Sequence, residues 1–473
     1  MSEKKIDWTN QEYDRAIQNY KLIDDLCDSQ NLQDYIVKLN PSDTSAEMEL
    51  RREQYFETAV YYPIAGYTAR GLVGVAFTKQ PAIKIPAGLE YVEDNVDGSG
   101  ESIYQQSQAV VRSLVRKGRA GLLVDFPATD GSQASKLDIQ NGSRFASIQR
   151  FEPAQILPVE MVAIGSKVKI SRVRLKDTVE ENGESEDIIR ELYLDESGIY
   201  TSQEWRIDPQ GQWYRYKEAS VPLDGEGKPW DEIPFIICGS ETNTRSYDKE
   251  PMYDLCQINK GHFNNSAAYE DMLHFAGQAQ PWSTGMTQGD LDILKSEKIQ
   301  IGSGQLINIA DPSGKFGYAQ VQTNAIAKEG MDFKLKLMIG QGAFFIEPGS
   351  APKTATESRN DQKVQHSILS LITSNVSEAY TKCLYWMAKF MRINETAEME
   401  YSISQDFTTY QADAQMILAM MQAAAQGKLR TRAFVAWQQK NGLEDPEKDI
   451  DEILEELEAE NPAVSMPNLG GEF

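Results

Sequence analysis

The chain has little of the chemistry that marks an enzyme or a metalloprotein. Three histidines, His262, His274 and His366, occur in 473 residues, and none stands at metal-ligand spacing. The four cysteines, Cys27, Cys238, Cys256 and Cys383, lie far apart in sequence among apolar neighbours, which predicts reduced core thiols. A Gly-x4-Gly-Lys-Ser/Thr phosphate loop is missing; Ser313-Gly-Lys-Phe316 lacks both its first glycine and its hydroxyl. There is no Gly-x-Ser-x-Gly, His-Glu-x-x-His or Cys-x-x-Cys, and Gly302-Ser-Gly304 is a lone turn signal. No run of about 18 apolar residues could form a membrane helix. The segment Met1–Trp8 lacks the apolar stretch of a secretory leader. These absences predict a chain made in the cytoplasm, with no membrane segment, metal, cofactor or catalytic constellation.

Positive charge is scarce too. Lys and Arg number 47 against 71 Asp and Glu, a net charge of −24. Broad nucleic-acid binding needs clustered cations, so only local contacts to DNA are compatible with this balance. The 41% hydrophobic and 25% charged content is ordinary for a globular protein, and the length predicts two or three domains.

Among the features present, the most informative is residues 354–392. Val364, Ile368, Leu371, Ile372, Val376, Ala379, Cys383, Trp386, Met387 and Phe390 recur mostly at steps of three and four, with no Pro or Gly between them. That stripe predicts one amphipathic helix of ~55 Å. A Pro- and Gly-bearing loop, Phe344–Lys353, precedes it, and a shorter helix is expected over Asn324–Met338. Residues 10–80 read as helical, with Gly71 and Gly74 on one side where another backbone can approach closely; Lys79-Gln-Pro81 stops that stretch. A helix at 102–117 leads through Gly118 into a strand at 121–126. Strand signals then recur at 148–151, 156–162, 168–175, 188–194, 199–205, 213–217 and 234–237, with turn chemistry at Asn182-Gly183 and Asp208–Gly211. Helical spacing returns at 251–277. A Gly-rich β module follows, with strands expected at 299–301, 305–309 and 317–321, and a further strand is expected at 398–404. The last helix places Ile450, Ile453, Leu454 and Leu457 on one face, with ten acidic residues between Glu444 and Glu460. The fold class is α+β, with a mainly antiparallel β region on a helical base.

This order of parts resembles the portal proteins of tailed bacteriophages, from about residue 10 to 460. Local segments carry the resemblance as well: Tyr61-Tyr-Pro63, Gly71-Leu-Val-Gly-Val-Ala-Phe-Thr-Lys-Gln-Pro81, Gly118-Arg-Ala-Gly-Leu-Leu-Val-Asp-Phe-Pro127 and Ile258-Asn-Lys-Gly-His-Phe-Asn-Asn-Ser266. The resemblance implies a wing at 1–248, stem helices at 249–278 and 322–343, and a clip at 279–321 between them. It further implies a tunnel loop at 344–357, a long helix with a strand returning to the wing at 354–408, and a crown with C-terminal tail at 409–473. It implies a homo-oligomeric ring of twelve subunits at one capsid vertex of the virion, with double-stranded DNA passing weakly and non-specifically through it. The implied partners are the terminase large subunit, which carries the ATPase, a head–tail adaptor, and the major capsid protein or scaffold. In such a ring Lys353, Arg359 and Lys363 around the loop, and Lys328, Lys334 and Lys336 on the second stem helix, are candidates to meet passing phosphates as point charges. Each set has a plainer alternative, an exposed loop or helix face with solvated charges. The acidic run 444–460 reads as a solvated crown face. The rival functions are another oligomeric scaffold or adaptor ring, and a hydrolase with an unrecognised site.

Overall fold

The computed structural model describes residues 5–126, 145–181, 183–276, 280–285, 287–289, 292, 313–319, 325–341, 355–393, 398–405, 407, 430–440 and 448–460; in helix 355–390 the side chains are described from 368 onward. Lys353 and the expected strands 299–301 and 305–309 lie outside these residues, as do the side chains of Arg359, Lys363 and Leu457.

Over 10–80, which the sequence reads as helical, three helices form. α1 (Gln11–Asp28) starts where the Asn10 carboxamide accepts from the Tyr13 amide at 2.8 Å, and it stops at Ser29 in the left-handed region, φ 57°. Asn31 and Asn40 also adopt positive φ, and they turn the chain before α2 (Ala46–Thr58), which Ser45 caps. α3 (Ile64–Ala76) follows Pro63, whose ring presets an initiating φ but offers no capping side chain. A short strand, β1 (Ala82–Lys84), comes next; the sequence had indicated only a helix stop there. α4 (Ile103–Lys117) opens with a Ser102/Gln105 capping box and closes on Gly118 at φ 72°.

β2 (Arg119–Asp125) is buried along nearly its whole length, so its sequence is a continuous apolar run without alternation. It is the central strand of an antiparallel sheet, between β3 (Ser147–Phe151) and β9 (Phe235–Gly239). A second antiparallel sheet is a five-stranded meander in chain order: β4 (Glu160–Ile164), β5 (Lys167–Glu181), β6 (Glu184–Leu194), β7 (Tyr200–Ile207) and β8 (Trp213–Arg215). Gly183, φ 83°, makes the tight turn that sets Glu181 opposite Glu184.

The remaining described elements of this unit, residues 1–405, are helices α5 (Tyr253–Ala276), α6 (Ile326–Gly340) and α7 (Ala355–Phe390), the paired strands β10 (Gln280–Thr284) and β11 (Lys315–Ala319), and β12 (Glu400–Ser402). β12 pairs with β1, so chain segments more than 300 residues apart share a ladder. The described part of α7 is buried on one side against β2, β9 and β12, with Ile372, Val376, Ala379, Tyr380 and Cys383 almost fully enclosed. Burying such a stripe contributes roughly 1.5–3 kcal/mol per large apolar side chain. The second unit, residues 406–473, contains α8 (Thr431–Lys440) and α9 (Ile450–Glu460), which pack together and bury Val435 and Ile453; Arg432 pairs with Asp451 across them. The architecture is mixed α+β with antiparallel sheets.

Candidate functional site: the helix pair 253–276 and 326–340

α5 carries several polar residues with tertiary partners. The Asn259 side chain is fully buried; its oxygen accepts from the Ala65 amide at 3.0 Å and its nitrogen donates to the Tyr62 carbonyl at 2.9 Å. It thus caps α3 from another helix, where Pro63 cannot. His262 meets Tyr62 edge-on at 5.4 Å, and Phe263 meets Tyr61 in the same manner at 5.2 Å. Asn264 holds the Tyr35 carbonyl and the Val37 amide. Near its end, Asp271 takes Arg51 of α2 through both carboxylate oxygens at 2.7 Å. The two segments Tyr61–Pro63 and Ile258–Ser266 are therefore opposite sides of one contact.

α6 packs on another part of α5 through two glycines. A Cβ on Gly261 would lie 2.9 Å from Lys334 Cε, and one on Gly330 would collide with Asn265 Nδ2. Each helix presents a notch to a side chain of the other, which brings the backbones close. Lys334 lays its alkyl stem over Gly261 and is half-buried. Its ammonium adds to burial in holding the His262 imidazole below its ordinary range, while Asp332 opposes the shift. His262 Nδ1 and the hydroxyl of Ser266, one turn further, are buried without hydrogen-bond partners among the described residues.

Of the six cations proposed from the sequence, Lys328, Lys334 and Lys336 have described side chains. Lys328 and Lys336 are exposed on α6, and neither joins an ion pair among the described residues. Lys334 faces α5. Positions 359 and 363 lie one turn apart in the first turns of α7. The end of α6 and the middle of α7 meet around a cavity of about 60 Å3 lined by Gln341, Ile368, Leu369 and Ile372 together with Thr68, Leu72, Val115, Pro251 and Met252. Apolar side chains also face solvent: Phe333 is 61% exposed and Ile326 71%, and Leu337, Ile368 and Leu371 are open as well. Gly74 on α3 has open space where a Cβ would stand, beside the exposed Tyr67.

Among the described residues no group of three or more His, Cys, Asp or Glu could hold a metal ion, and no helix is long and apolar enough to cross a membrane.

A family model described as a domain of unknown function, DUF4055, matches residues 251–391. Its limits coincide with the start of α5 and the end of α7, so it covers the helix pair, the β10–β11 pair and the long helix. No curated protein matches the chain. Among solved structures, the chain is similar to one in "Neck of empty GTA particle computed with C6 symmetry", with 11% identity and a TM-score of 0.43, over 78% of this chain and 87% of that one. At that TM-score the likeness bears on neither fold nor function.

Proposed function

We propose that the chain is the subunit of a portal ring: a non-enzymatic conduit at a phage capsid vertex, through which DNA is packaged and released, and on which a terminase and a head–tail adaptor dock. The observation that carries this is the ordered set α5, β10–β11, α6, α7. Two helices notched closely together bracket a small β pair, and a 36-residue helix follows and returns into the body against β2, β9 and β12. That is the stem, clip, stem and long-helix order of the family the sequence resembles.

Two further features favour assembly into a ring. Among the described residues, Ile326, Phe333 and Leu337 of α6 and Ile368 and Leu371 of α7 expose apolar side chains, the kind of surface that marks a contact with another chain. The glycine-bearing face of α3 is open at Gly74, with nothing among the described residues against it. Closed rings are built from head-to-tail contacts between two different surfaces, and these faces are candidates for them. Lys328 and Lys336, together with Lys353, Arg359 and Lys363, would supply sparse cations in an otherwise acidic bore, enough to touch phosphate without halting it.

Native mass spectrometry and negative-stain imaging of the purified chain test the proposal. Twelve copies of 53.1 kDa give a ring of about 0.6 MDa with a central hole. Monomers or dimers at every salt and protein concentration would overturn it.

A further inference from the structure

Two helices of the body each present one line of residues to solvent, and the two lines match. On α3, Tyr67, Arg70 and Gly74 are exposed, Tyr67 at 56%. On α6, Ile326, Glu329 and Phe333 are exposed, the two apolar side chains at 71% and 61%. Steps of three and four residues put each set on one side of its helix, and the steps come in the same order in both. Laid parallel with Tyr67 beside Ile326, the helices bring Arg70 to Glu329 and Gly74 to Phe333.

The facing residues are complementary in charge and in shape. Arg70 is the one charged residue of α3, and its guanidinium lies over the Tyr67 ring at 4.8 Å. Neither Arg70 nor Glu329 joins an ion pair among the described residues. A Cβ on Gly74 would meet nothing within 4 Å among the described residues, so the surface is recessed there, whereas Phe333 projects. The two helices are held on different flanks of α5. Asn259, which holds α3, and Gly261, which receives Lys334 of α6, stand ~200° apart around it. The lines are therefore two different surfaces, as a head-to-tail contact between copies requires.

We propose that the α3 line of one subunit docks on the α6 line of a second copy of this chain. This rests on the ring proposed above, and it names the two faces that build it. Phe333 enters the recess at Gly74 and leaves water, and the glycine lets the two backbones approach to about 8 Å. The Arg70–Glu329 pair fixes the register. The fit of Phe333 to Gly74 fixes the direction, because antiparallel docking would set the Phe333 ring against the Tyr67 ring. Burial supplies most of the affinity, since an ion pair in water contributes little. Each copy gives one face and receives the other, so closing the ring leaves neither line open.

The test uses the purified full-length chain. All four native cysteines are buried, so Tyr67→Cys/Ile326→Cys adds the reactive thiols and leaves Arg70, Gly74, Glu329 and Phe333 in place. Oxidation should join its copies into a ladder that reaches the full ring on a denaturing gel, with peptide mapping linking 67 to 326. Neither single cysteine variant should link more than two copies. Arg70→Glu and Glu329→Arg should each lower the ring population roughly tenfold or more by native mass spectrometry, and the double exchange should restore it. An unchanged urea midpoint in each variant shows that the subunit fold is kept; where it falls, the cysteine pair decides. Wild-type rings that survive both single reversals and give no 67–326 link overturn the pairing and leave the ring reading standing. So does rapid maleimide labelling of Ile326→Cys within intact rings, which would mean that this face serves another partner. A wild-type chain that stays monomeric at every salt and protein concentration overturns the ring reading, and the pairing falls with it.

Discussion

Replacing Asn259 with Ala should cost far more than a typical single substitution. The carboxamide makes two bonds, to the Ala65 amide and the Tyr62 carbonyl, from a fully buried position. Alanine removes both at once, and no side chain at Pro63 can replace the cap. A buried polar group left unmatched costs roughly 1–3 kcal/mol, so two give on the order of 2–6 kcal/mol. That is a large share of the ~5–15 kcal/mol that holds a natural protein folded. Asn259→Asp keeps the acceptor but turns the donor into a second oxygen facing the Tyr62 carbonyl, and it should be no better than Ala. Urea unfolding followed by fluorescence gives the magnitude, and hydrogen exchange gives the place, because the amides of Ala65 and Gly66 should lose protection first. A loss below ~1 kcal/mol with Ala65 still protected would refute the idea that α5 caps α3.

Other outcomes follow from the same helix pair and from the proposed ring. Gly330→Leu drives a side chain into Asn265 and should destabilise the α5–α6 contact by about 1–3 kcal/mol, read as a lower urea midpoint with an unchanged slope. His262 titrates below its ordinary 6.5 because it is buried beside Lys334. The unfolded chain therefore holds the proton more tightly, and the stability contributed by neutral His262 is complete above 6.5 and falls as the pH drops through the lowered folded value; in His262→Gln the urea midpoint should depend less on pH across that window. Replacing Lys353, Arg359 and Lys363 together with Ala should leave ring assembly intact and change the packaging rate or retention of DNA, and wild-type behaviour in both assays counts against a lumen role. Deleting 279–321 should spare the remaining fold and abolish tail attachment, so tailed particles from that deletion would sink the docking role of the β10–β11 pair.

How far the sequence could be read depended on the range of the forces involved. The helix at 355–390 was legible from its apolar spacing alone, as was the capped helix ending at Gly118, because periodicity, caps and left-handed glycines act within a few residues. The meander was legible from alternation and turn residues. The breaks between the three helices over 10–80 were not legible, because Ser29, Asn31 and Asn40 take positive φ without being glycine. β1 was missed because three residues carry no periodic signal and become a strand only when β12 arrives beside them.

Composition and local pattern by themselves determined the acidic balance, the α+β class, the long helix and the buried character of the cysteines. Only the tertiary structure decided what the segments Tyr61–Pro63 and Ile258–Ser266 are for. Read along the chain they have no chemical requirement, because each supplies what the other lacks: a proline that cannot cap, and an asparagine that caps from nearly 200 residues away. The same holds for Gly261 and Gly330, whose missing side chains matter only against Lys334 and Asn265. Hydrogen bonds and close packing act over a few ångströms of space, and distance along the chain does not reveal which groups folding will bring within that reach.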